Sequence, residues 1–185
     1  MIKNNSSIDV ADTDNSKITI ENIKESRCSK SNYYLDIAEA VSKRSTCLRR
    51  KFGAVIVKDD EIISTGYNGA PRGRRNCDVI GKCIRETLNI PRGERYELCR
   101  SVHAEANAII SASRADMLDS NLYLVGIESN GKYVDHPCAC SMCKRLIINA
   151  GIIAVYVRLT PSRWEMFNVS DWIRNDDSLD GTMGY

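Results

Sequence analysis

The sequence predicts an α/β fold in three layers, with helices on both faces of a mixed β-sheet. Three observations carry that prediction. A hairpin pattern runs through residues 52–67, a strand–helix–strand pattern runs through 121–158, and two further stretches have helical apolar spacing. A hairpin pairs its strands antiparallel, whereas a strand, helix and strand in succession pair theirs in parallel. A sheet holding both is mixed, and its apolar faces need helices to cover them.

Taken in order, residues 1–31 hold few large apolar groups and many Asn, Ser, Asp and Lys, which reads as a tail ahead of a domain spanning 32–185. Tyr34, Ile37, Ala38 and Val41 share one helical face, in a helix ending near Ser45. Phe52 to Lys58 and Ile62 to Tyr67 form the hairpin around an Asp59-Asp60-Glu61 turn, and Asn68-Gly69-Ala70-Pro71 breaks the second strand into a loop. Residues 72–100 are polar, carry three cysteines and show no period; so long a loop in a compact domain needs a function or a clip. The run Ala104, Ala106, Ala108, Ile109, Ile110 and Ala112 makes the next helix, with Ser101 as its expected N-cap. Residues 121–128 form a buried strand, and Ser129-Asn130-Gly131 a turn. Lys144 to Ala150 is a helix closed by Gly151, and residues 152–158 are a further strand. Residues 160–185 are acidic, with aromatic side chains, and their pattern assigns them no role.

Composition narrows the function. With 43% hydrophobic and 27% charged residues the chain is that of a soluble globular protein, and no apolar run approaches a membrane span. The N-terminus has no signal-peptide pattern. A net charge of +2 argues against wholesale nucleic-acid binding. Eight cysteines without a secretory signal imply a reducing, cytoplasmic setting in which metal or catalytic use outranks disulfides.

The chemistry concentrates at two helix starts. His103, one of only two histidines, stands two residues before Glu105, and Cys140 and Cys143 open the later helix. One imidazole and two thiolates suit zinc, and three protein ligands leave the open fourth position of a catalytic site. Both cysteines lie where the helix dipole favours thiolate. Zinc lowers the pKa of bound water to roughly 7, and a neighbouring carboxylate that is not a ligand, Glu105, is placed to carry the proton. Taken alone, Cys-x-x-Cys reads equally well as a redox pair or as half of a structural zinc site. A His-x-Glu followed by Cys-x-x-Cys is the signature of zinc-dependent nucleobase deaminases.

Four stretches in the right order resemble the deoxycytidylate (dCMP) deaminases of the cytidine deaminase superfamily. They are Arg44-Ser45-Thr46-Cys47-Leu48-Arg49-Arg50, Gly66-Tyr67-Asn68-Gly69-Ala70-Pro71, Val102-His103-Ala104-Glu105-Ala106-Asn107-Ala108-Ile109, and Cys143 to Ile152. The resemblance implies a five-stranded mixed sheet, one strand more than the pattern gives. It implies hydrolysis of dCMP to dUMP and ammonia, supplying dUMP for thymidylate synthesis. It also implies substrate contacts at Asn68 (to a sugar hydroxyl), Arg50 and Ala104. Beyond the site it implies a homo-oligomer, often a hexamer, and regulation by dCTP and dTTP with Mg2+. One departure stands out. The family writes Pro-Cys-x-x-Cys, but Pro137-Cys138 here is followed three residues on by Ser141. The downstream match makes Cys143 the second ligand and hence Cys140 the first, leaving Cys138 surplus, as Cys28 is.

Cys47, Cys77, Cys83 and Cys99 make a second set. The three in residues 72–100 stand among charged residues, in a segment too polar to fold by burial, where a structural metal is useful. Some family members resemble this, with an additional structural zinc using the cysteine of Ser45-Thr46-Cys47. The ordinary alternative is four separate buried thiols. Arg49, Arg50 and Lys51 on one side of the Asn68 loop, and Arg72, Arg74 and Arg75 on the other, favour a nucleotide over a nucleoside because Arg grips phosphate bidentately. Two rivals remain: deamination of another cytosine or adenine nucleotide or of an RNA base, and a zinc-stabilised binding module without catalysis. Glu105 speaks against the module, which needs no unliganded carboxylate.

Overall fold

A computed structural model describes residues 27–175 except 92 and 136. Most of the expected tail, and the last ten residues of the chain, lie outside the described residues.

Helix α1 (Lys30–Ser42) is capped by Ser29, whose side chain accepts from the Asn32 backbone N–H. Strands β1 (Arg50–Lys58) and β2 (Glu61–Tyr67) form the predicted hairpin. Its turn residues Asp59 and Asp60 have φ of 50° and 69°, the left-handed pair that matches strand twist across a two-residue turn. Asp60 is held there by the Tyr34 hydroxyl, which donates to its carboxylate at 2.6 Å. In the polar segment, α2 (Cys77–Ile80) and α3 (Ile84–Thr87) are single turns, and residues 96–98 form a 3-10 turn. Helix α4 (Ala104–Ile110) and the short α5 (Arg114–Met117) lead into β3 (Asn121–Glu128), the strand bounds predicted from the sequence. Helix α6 (Ser141–Ala150) then crosses to β4 (Ala154–Arg158), followed by β5 (Trp164–Asn168) and α7 (Val169–Arg174).

The sheet order is β2-β1-β3-β4-β5, with β3 and β4 parallel and every other pair antiparallel. Five strands are present among the described residues, and the fifth comes from the segment to which the sequence pattern assigns no role. Alternation along the strands divides the core between the two faces. Ala54, Ile56, Leu122, Leu124, Val155 and Val157 pack with Ala104, Ala108, Cys143 and Ile147 of α4 and α6. Val55, Val57, Tyr123 and Val125 pack with Tyr34, Leu35 and Ala38 of α1. The result is the three-layer mixed sandwich predicted. Within α1 the buried face is turned slightly from the predicted one: Leu35 is fully buried, while Ile37 and Val41 sit at the edge of the cluster.

Two close approaches set the helices against the sheet. A Cβ on Gly53 would lie 2.0 Å from the Ala38 carbonyl, and one on Gly66 would lie 2.3 Å from both Ala104 O and Ala108 N. Only glycine lets α1 and α4 come this near. Gly66→Ala is therefore expected to push α4 off β2 and destabilise the fold by about 1–3 kcal/mol or more. Urea denaturation measures it, and a loss below about 0.5 kcal/mol would show that the helix has room to retreat.

Candidate active site

Helix α4 begins later than expected. Its N-cap is His103 itself, in extended backbone and without a side-chain cap bond, so Ser101 is not the cap. The reason lies in a distant pairing. Val102 bridges Gly69, exchanging backbone bonds of 2.8 and 3.2 Å, which keeps the chain extended up to His103. The helix is tied back by Asn107, whose side-chain amide donates to Tyr67 O at 2.7 Å. Helix α6 starts in the same manner: Cys140 is the N-cap, its carbonyl accepts from Lys144 N at 2.8 Å, and Cys143 falls in the first turn. Gly151, in the left-handed region at φ 83°, ends α6 as the sequence predicted.

These two helix starts meet. His103 Nδ1 lies 3.4 Å from Cys140 Sγ and 3.3 Å from Cys143 Sγ, and the three donor atoms all fall within 4.8 Å of one another. Tetrahedral zinc, with bonds of about 2.3 Å to sulfur and about 2.0 Å to nitrogen, sets a sulfur–nitrogen separation of about 3.5 Å. The donor set and its spacing fit the metal. Cys138, by contrast, is exposed and stands outside this group.

Charge at the site is tuned by burial and by mutual contact. Cys143 donating to it, and then His103, hold the Cys140 thiol down at about 4, despite burial. Its partner Cys143 is pushed up by that same bond and by burial. For His103, burial opposes the charged ring, but Cys140 and Glu105 outweigh it and the ring's pKa is raised. Glu105 is 5% exposed in the first turn of α4, and burial raises its pKa against the pull of His103.

A cavity of about 390 Å³ opens onto this group, with Glu105, Asn68 and Ala104 among its lining residues. The Asn68 side chain is largely committed: its Oδ1 accepts from Phe52 N and Ser45 Oγ, and its Nδ2 donates to Arg50 O. Arg50 also lines the cavity, but its Nε donates to both Glu128 oxygens, at 2.9 and 3.0 Å. Arg49 lines it too, whereas Lys51, Arg72, Arg74 and Arg75 are exposed outside it. Cys47, Cys83 and Cys99 form part of the same wall, and Cys77 is buried near them. Among the described residues, His103, Cys140 and Cys143 are the group whose donor atoms come within 4.8 Å; the four cysteines are gathered without being that close. Sequence reading passed over Lys144, Arg85 and Tyr96 as lining residues. Lys144 was within reach, because four residues past Cys140 on a helix is the same face. Residues 72–100 have no period from which the other two could be found.

The geometry separates the two sequence registers. Cys140→Ser is expected to lose zinc from the purified protein and Cys138→Ser to keep it, as elemental analysis reads directly. The opposite pattern would move the ligand to Cys138.

Residues 28–159 match the cytidine and deoxycytidylate deaminase zinc-binding region. A deoxycytidylate deaminase of Mycobacterium phage D29 is 38% identical over 124 residues, covering 65% of this chain and 87% of the phage protein. The deoxycytidylate deaminase of Schizosaccharomyces pombe is 36% identical over 126 residues, covering 68% of this chain; the chain spans only 36% of that relative's length. A crystal structure of a dCMP deaminase from the cyanophage S-TIM5 in complex with dCMP and dUMP aligns at 28% identity and a TM-score of 0.45, covering 74% of this chain and 81% of its own. Strand β5 and helix α7 lie beyond the matched region, whereas the helix starts that carry His103, Glu105, Cys140 and Cys143 all lie within it. The chain belongs to the cytidine and deoxycytidylate deaminase zinc-binding family.

Proposed function

We propose that this chain hydrolyses dCMP to dUMP and ammonia. The observation that carries the reading is a buried carboxyl, Glu105, beside three convergent donor atoms at the wall of a cavity that Glu105, His103 and Cys140 line. Zinc held by His103, Cys140 and Cys143, with a fourth position open, supplies activation of water at neutral pH. The deaminase names of the phage and yeast relatives support the substrate.

Glu105 moves the protons. Burial raises its pKa, so it holds a proton more readily than an exposed carboxylate, as a group that must take up a proton and return it requires. It takes one proton from the attacking water and gives it to N3 of cytosine as the oxygen joins C4. It then passes the second proton to the amino group, the C4–N bond breaks, ammonia leaves and C4=O forms. Ala104 lines the cavity beside Glu105. Asn68 keeps one amide N–H, among its described partners, for a sugar hydroxyl. Arg50, with Nε on Glu128, offers its terminal N–H groups to the phosphate, and Arg49 and Lys144 add charge in the same cavity. Deamination of an RNA base is the weaker reading, because a net charge of +2 gives a polynucleotide little to hold.

A second, structural zinc on Cys47, Cys77, Cys83 and Cys99 belongs to the same reading. The cations beside these thiols support it. Burial and the neighbouring thiols push the Cys77 and Cys99 thiols up, and against that Arg100 favours the thiolate of Cys77, while the Ser101 N–H, donating to Cys99 Sγ, and Arg85 favour that of Cys99. Four thiolates around one dication carry net negative charge, which those groups offset. The homo-oligomer, the regulation by dCTP and dTTP with Mg2+, and the cytoplasmic setting rest on the resemblance; no described helix is long and apolar enough to cross a membrane.

Glu105→Ala should keep its zinc and lose about a hundred- to ten-thousand-fold in kcat on dCMP. Assays of dCMP, dCTP, cytidine and an RNA hairpin side by side test the substrate, and turnover of dCMP no faster than of the others would overturn it. Elemental analysis should find two zinc ions per chain, falling to one in Cys83→Ser along with a lower melting temperature. One zinc in both proteins would leave the four cysteines as ordinary thiols.

A further inference from the structure

We propose that Tyr96 is a positioning residue for His103, and that the buried Arg85 holds Tyr96 in place. The inference rests on the reading of His103 as a zinc ligand and adds how its ring is aimed. The Tyr96 ring lies 4.9 Å from that of His103 at an interplanar angle of 89°. Arg85 Cζ sits over the same Tyr96 ring, 4.6 Å from its centroid. Arg85 is 4% exposed. Its guanidinium donates to Pro91 O at 2.7 Å and to Glu94 O, and no described carboxylate pairs with it. A buried cation without a carboxylate is costly unless its donors are satisfied. Here two carbonyls and an aromatic face satisfy it, so the loop, the ring and the charge hold one another.

The His103 ring needs such a hold. Its Nδ1 must stay at the 3.3–3.4 Å from both sulfurs that lets all three share one metal, and rotation of the ring about its stem carries Nδ1 away. A ligating imidazole is ordinarily fixed by a hydrogen bond from its other nitrogen, and loss of that bond typically weakens metal binding about ten- to a hundredfold. Among the described residues no hydrogen bond reaches His103 Nε2. The perpendicular contact with Tyr96 does that work, since a rotated imidazole would lose its place against the tyrosine ring.

The test uses the whole chain and its two histidines. Zinc is titrated against a competing chelator while the histidine ring signals are followed by NMR, which reads the His103 site apart from any all-cysteine site. Tyr96→Leu is expected to weaken zinc binding at His103 about tenfold or more. Tyr96→Phe, which keeps the ring, should stay within about threefold of the wild type. Arg85→Lys keeps the charge, gives up part of the carbonyl grip, and should fall between the two. It also serves if Tyr96→Leu does not fold. Melting temperatures with chelator present should be alike for wild type and Tyr96→Phe. Zinc binding as tight as the wild type's in Tyr96→Leu, or in Arg85→Lys should the first not fold, would overturn the proposal. So would equal weakening by Tyr96→Phe and Tyr96→Leu, because the hydroxyl would then be the active part. If wild-type His103 signals ignore zinc, the zinc reading itself fails and takes this inference with it.

Discussion

Everything at the site depends on two helix N-termini being held a bond's length from a common point. The sheet order brings them there. The carboxyl end of β2, the start of β1 and the carboxyl end of β3 lie side by side, with Tyr67 opposite Gly53 and Glu128 opposite Arg50. Helix α6 lies between β3 and β4 in the chain and makes their parallel crossover. Helix α4 is brought to the same edge by the Gly69–Val102 bridge that follows β2. Both helices pack on one face of the sheet, in the cluster holding Ala104 and Cys143. Open α/β sheets place their binding sites beyond the carboxyl ends of strands for this geometric reason.

The same arrangement prepares the chemistry. Helix starts favour negative charge through their unpaired N–H groups, so thiolates there are less unfavourable than elsewhere. The low position of Cys140 agrees with that placement, although its bond from Cys143 is the larger cause. Glu105 feels the opposite pressure. It sits on the buried face of α4, where loss of solvent raises its pKa although it too is in a first turn. One turn of helix thus carries an imidazole beside two sulfurs and a carboxyl able to hold a proton.

How much of this could be read from the chain follows the range of the interactions. His103, Glu105, Cys140, Cys143 and Gly151 were legible because each belongs to a local spacing that a helix start or end enforces. Ser101 was misread as a cap because the bridge that keeps it extended comes from Gly69, far back in the chain. The commitment of Arg50 was hidden for a similar reason, its partner Glu128 being 78 residues on. Strand β5 was missed because it is an edge strand with four of its five residues exposed, so no apolar alternation marks it. Leu35 won the centre of the α1 face over Ile37 through packing on Val55 and Tyr123, which spacing within the helix does not reveal.

Residues 72–100 show what replaces a core when a segment has too little apolar surface to build one. Its helices are single turns, too short to stand unaided in water. Polar contacts do the holding instead. Asp78 N donates to Thr46 O, Arg85 to the carbonyls of residues 91 and 94, and Arg100 to the carbonyl of Arg75. Each of these is modest alone, worth about 1 kcal/mol net between neutral groups and about twice that from a guanidinium. They are also coupled, since Arg85 meets Tyr96 and Tyr96 meets His103. The segment that looks least structured in sequence therefore ends against the ring on which the donor group depends. Its polarity suits that place, because a segment with its own apolar core would have no reason to keep a cation, Arg85, and two thiols, Cys83 and Cys99, at the wall of the cavity.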